Sequence, residues 1–74
     1  DYLVKEEPNS EMDYQSALIV AMKKEKSAFR LYNDLATQTQ DAGIKSALLA
    51  LAQEEAKHKL RIELEYDNQV YREN

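Results

Sequence analysis

Apolar residues recur at spacings of three and four along two long stretches of the chain, and nowhere do they alternate one for one. In the first stretch Tyr14, Leu18, Ala21, Met22, Ala28, Phe29, Tyr32 and Ala36 share one stripe, the pattern of a helix with a single buried face. Asn9 or Ser10 offers an N-cap, and Glu11 and Asp13 stand in the first turn, where the helix dipole favours negative charge. This spacing predicts a helix over 10–39. The polar segment TQTQDAG (37–43) then interrupts the pattern, with Asp41 as a second N-cap. A second stripe of Ile44, Leu48, Leu51, Ile62 and Tyr66 predicts a helix over 42–68. Residues 1–9 keep no period and hold the one proline, so they read as an extended lead-in; residues 69–74 read as a frayed tail. The whole, 1–74, is one domain without an internal linker.

Two helices joined by a few residues make an antiparallel hairpin, and the fold class is all-α. Each helix would extend about 40 Å at 1.5 Å per residue. In a lone hairpin each helix has one neighbour, too few to cover stripes of that length. A second copy solves the problem by closing a four-helix bundle, so the chain is expected to be a homodimer or a larger ring.

Composition narrows the chemistry. With 74 residues the chain would bury only about 60% of its unfolded surface, and domains of this size often lean on a metal, disulfides or a partner. There is no cysteine, which excludes disulfides, thiol catalysis, iron–sulfur clusters and cysteine-bound zinc. A net charge of −4 repels phosphate backbones, so nucleic acid is not an expected partner. The longest apolar runs, 17–22 and 47–52, fall far short of the roughly 20 residues a bilayer requires. No signal-peptide pattern is visible, and the expected location is the cytoplasm, with a protein compartment as a further possibility.

The informative residues are polar ones lying on the apolar stripes. At about 100° per residue, Leu18, Tyr32 and Ala36 lie within roughly 20° of Glu25. Leu48, Ile62 and Tyr66 lie equally close to Glu55, and His58 stands about 60° to one side. Glu55 and His58 form Glu-x-x-His, a spacing that points both side chains the same way. Measured from a turn centred on Asp41, Glu25 sits about 24 Å up one helix and Glu55 about 21 Å up the other. His58, the chain's one histidine, is about a turn beyond Glu55. Three potential metal ligands therefore meet at one level. Unpaired charges there would cost several kcal/mol, so something should compensate them. Two copies would supply four Glu and two His, the donor set of carboxylate-bridged two-metal bundles, and one that suits Fe(II) with manganese or zinc as substitutes.

The segments AMKKEKSAFRLYNDLA and LALAQEEAKHKLRIELEYD resemble the rubrerythrin-type branch of the ferritin-like superfamily, over roughly residues 14–68. The resemblance rests on Glu25 followed seven residues later by Tyr32, then Glu55 and His58 about thirty residues downstream. It implies that Glu25, Glu55 and His58 are iron ligands and that Tyr32 donates a hydrogen bond to a ligand carboxylate. Rubrerythrins carry four such helices in one chain, so the half-length pattern implies a site assembled between hairpins, as in the encapsulated ferritins, or a piece of a longer rubrerythrin-like protein. Where such proteins often place a further Glu, this chain has Ala28, and it carries no Cys-x-x-Cys module to deliver electrons. Glu54 and Glu63 have no counterpart among the ligands.

The expected function is oxidation of Fe(II) by oxygen or peroxide, for iron storage or for detoxification of iron and peroxide. Two alternatives remain open on the residues themselves. One is a metal-free helical hairpin serving as a structural or interaction module; the other is a non-redox binding protein for zinc or manganese.

Overall fold

The structure, a computed structural model, describes the backbone of residues 11–73 and the side chains of residues 13–72. The lead-in expected at 1–9 and the N-cap expected at Asn9 or Ser10 lie outside the described residues. Two helices, α1 (Glu11–Gln38) and α2 (Ala42–Glu73), run antiparallel and pack along their length. Together they form a thin plate of 49 × 22 × 11 Å, one helix layer deep.

The turn between them is three residues long and is built from local polar chemistry. Near the end of α1 the Thr37 hydroxyl donates to the Asp34 carbonyl at 2.7 Å, and the Thr39 amide makes a last helical bond to the Leu35 carbonyl at 3.1 Å. Asp41 then caps α2: its Oδ1 accepts from the Ile44 amide at 2.9 Å, and its carbonyl accepts from the Lys45 amide at 2.9 Å. These bonds satisfy amides that a helix N-terminus otherwise leaves without partners. Gly43 leaves room for the cap, since a Cβ there would stand 3.3 Å from Asp41 Oδ1.

The expected frayed tail at 69–74 is corrected by the structure, in which α2 continues five residues past 68, to Glu73. Nothing in DNQVYRE breaks a helix, and Arg72 in the last turn suits the negative end of the helix dipole. The Tyr14 hydroxyl also donates to Glu65 Oε2 at 2.6 Å, fastening this end of α2 to the start of α1.

The apolar core between the helices is slight. Leu18, Ala36 and Ala52 are its buried side chains, and no large side chain is fully enclosed among the described residues. Small residues at the contact let the helix axes approach closely, but they bury little area. Ile44 and Leu51, which the second stripe assigns to the core, are exposed, as is Tyr14. The reason is geometric: each helix has one neighbour, and a stripe wider than one contact keeps its far edge in solvent.

Candidate metal centre

The unbroken course of both helices from a three-residue turn sets the site. Glu25 lies in the middle of α1, and Glu55 and His58 lie on successive turns of α2. His58 Nδ1 approaches Glu25 Oε2 to 3.3 Å and Glu55 Oε1 to 3.5 Å. One ligand atom from each of the three residues lies within 4.8 Å of the other two, so a single cation could be held by all three. Both carboxylate side chains are 21% exposed, whereas His58 is 46% exposed, so the cluster is closed toward the hairpin and open on its His58 side.

Electrostatics mark the cluster as under-compensated. Burial, then a hydrogen bond that the protonated Glu55 carboxyl donates to Glu25, and the negative charge of Glu25, push the Glu55 carboxyl above its ordinary value, and His58 pulls it partly back. Two carboxylates at this distance disfavour simultaneous ionisation unless a proton or a cation lies between them. Glu25 Oε2 is buried and has no hydrogen-bond partner, although His58 Nδ1 stands 3.3 Å away. Distance alone does not make that contact a hydrogen bond, because a bond also needs direction. A buried carboxylate oxygen left in this state fits a metal: an oxygen–nitrogen donor set of two carboxylates and an imidazole suits Fe(II), manganese or zinc.

The other polar residues of the stripes fall elsewhere. Tyr32 is half-buried, two turns along α1 from Glu25, and its hydroxyl makes no hydrogen bond to the cluster within this hairpin. Seven residues of helical rise, about 10.5 Å, separate the Tyr32 and Glu25 backbones along the axis. Glu54 pairs with Lys57 at 3.2 Å and Glu63 with Lys59 at 3.0 Å, both along the surface of α2. Tyr14, which the stripe assigns to packing, instead bonds Glu65; that burial-and-charge environment raises its phenol above the ordinary value, the hydrogen bond to Glu65 being the main cause. Glu65 lies within the helix expected over 42–68, but it is not on the apolar stripe, so a reading that assigns Tyr14 to packing has no signal for this pair.

The structure is thus an all-α hairpin that brings two carboxylates and a histidine together in a candidate metal site. The rubrerythrin family model matches residues 10–73, and the chain belongs to the rubrerythrin family. No curated protein and no solved structure gives a match. Among the described residues no helix is long and apolar enough to cross a membrane.

Proposed function

We propose that the chain supplies half of a di-iron carboxylate centre that oxidises Fe(II) with oxygen or peroxide, in iron storage or in detoxification of iron and peroxide. A second copy of the hairpin, seated on the His58 side, would bring a second Glu25, Glu55 and His58 to the same level. The observation that carries this reading is the buried, unbonded Glu25 Oε2 beside Glu55 and His58. Membership of the rubrerythrin family supports it.

In this reading Glu25 and Glu55 would hold metal through carboxylate oxygens, and their negative charge would offset that of the ions. His58 binds through a ring nitrogen and must be unprotonated to do so. The Tyr32 hydroxyl, which has no hydrogen bond among the described residues, would donate to a carboxylate brought by the second copy. Iron held by these residues would supply the redox chemistry with oxygen or peroxide.

The test is anaerobic Fe(II) titration followed by exposure to air, with the mass of the assembly measured on the same samples. The expected result is about one iron per chain, rapid oxidation on aeration, and loss of binding in Glu55→Ala. Tight binding without oxidation would favour the zinc or manganese alternative, since zinc in these ligands does no redox chemistry. Absence of tight binding would leave the metal-free structural module.

A further inference from the structure

The side of α2 turned away from the cluster carries a second apolar stripe that the metal site does not use. Leu49, Leu60, Leu64 and Tyr71 are all large and apolar and are between 43% and 79% exposed. At about 100° per residue Leu49 and Tyr71 lie within roughly 20° of Leu60, and Leu64 and Ala56 within roughly 40°. His58 is about 160° away, on the opposite side of the same helix. Leu49, Leu60 and Tyr71 are spaced by eleven residues, three helical turns, so the stripe runs nearly straight for about 33 Å. A second copy seated on the His58 side would leave this stripe in water, and exposed apolar surface of such continuity marks an interaction face.

We propose that this outer face of α2 packs antiparallel against the same face of another copy, about a two-fold axis at Leu60. The stripe's own residues favour this occupant. In that register Leu60 meets Leu60, Leu49 meets Tyr71, and small Ala56 meets large Leu64, so facing positions fill one another's gaps. The two polar positions on the stripe also match, since Gln53 meets Asp67 and an amide can donate to a carboxylate. A parallel arrangement in register sets Asp67 against Asp67 and leaves a gap between two Ala56 side chains, so charge and volume both select the antiparallel one. The contact goes beyond the metal reading and does not depend on it. Where both hold, the assembly grows past a dimer, because each hairpin then has two different faces for its own kind.

The chain has no cysteine, so single introduced cysteines report the register without background. A disulfide forms only where Cα atoms come within about 7 Å. Under mild oxidation Leu60→Cys is expected to cross-link to itself. Leu49→Cys alone should not, its two copies lying about 33 Å apart, but it should cross-link to Tyr71→Cys when the two are mixed. Leu60→Glu, at an exposed position where folding can be checked by circular dichroism, should lower the assembly mass by about half while iron uptake per chain stays unchanged. No cross-link at Leu60→Cys, self-cross-linking of Leu49→Cys, or an unchanged mass in Leu60→Glu would overturn the proposal. Iron uptake is read separately in each sample, so failure of this contact and failure of the metal reading give different results.

Discussion

Glu55 shows how a single side chain can weaken the fold it belongs to. Burial and the neighbouring Glu25 carboxylate raise its folded-state value above the ordinary 4.5. The folded chain therefore holds this proton more tightly than the unfolded chain does. The stabilisation is fully present below about pH 4.5 and is lost as pH rises through the raised value. Metal-free Glu55→Gln, which stays neutral, should accordingly be more stable than the parent at pH 7, with the gap closing toward pH 4. Thermal melts at both pH values check this, and a divalent cation should restore stability only to the parent. Tyr14 offers a second titration. Its hydroxyl donates to Glu65, so ionisation would face a carboxylate, and one of the five tyrosines should titrate above pH 10. Ultraviolet titration of Tyr14→Phe should lack that late component, and amide exchange beyond Glu65 should quicken.

At the scale of the element, what was legible in the sequence is what a helix dictates without help from its surroundings. Rise and twist per residue are nearly constant, so counting outward from Asp41 brings Glu25, Glu55 and His58 to one level before any contact is known. The Asp41 cap was equally legible, because side-chain bonding to the third helical amide is local chemistry. Asp41→Ala should cost about 0.5–2 kcal/mol, measurable by denaturant melts. The end of α2 was not legible. Polar residues at 67–69 neither break nor enforce a helix, and the bond from Tyr14 to Glu65 comes from the opposite end of the sequence. The outer stripe was also hidden, since Leu49, Leu60 and Leu64 interleave with the inner stripe and periodicity alone does not say which face lacks a neighbour.

For the molecule as a whole, the described residues form one layer of two helices with a slight apolar core. Leu18, Ala36 and Ala52 are small change against the roughly 1–2 kcal/mol of backbone entropy that each ordered residue gives up. In the proposed assembly, the surfaces that the hairpin leaves apolar would supply further stabilisation and tie folding to association. Stability should then depend on protein concentration. For a dimer, a hundredfold dilution removes about 2.7 kcal/mol, shared by two chains, and should lower the melting midpoint by on the order of 5–10 °C. A midpoint indifferent to dilution would mean that the single hairpin is stable by itself, contrary to both association faces. The two faces also separate by ligand. Adding Fe(II) without oxygen should raise the midpoint of the parent and of Leu60→Glu alike, because the cluster and the outer stripe lie on opposite sides of α2. The same addition should do little for Glu25→Gln. That pattern requires a metal held through Glu25 and independent of Leu60, while the contact of the outer face is read separately, from the cross-links and the assembly mass.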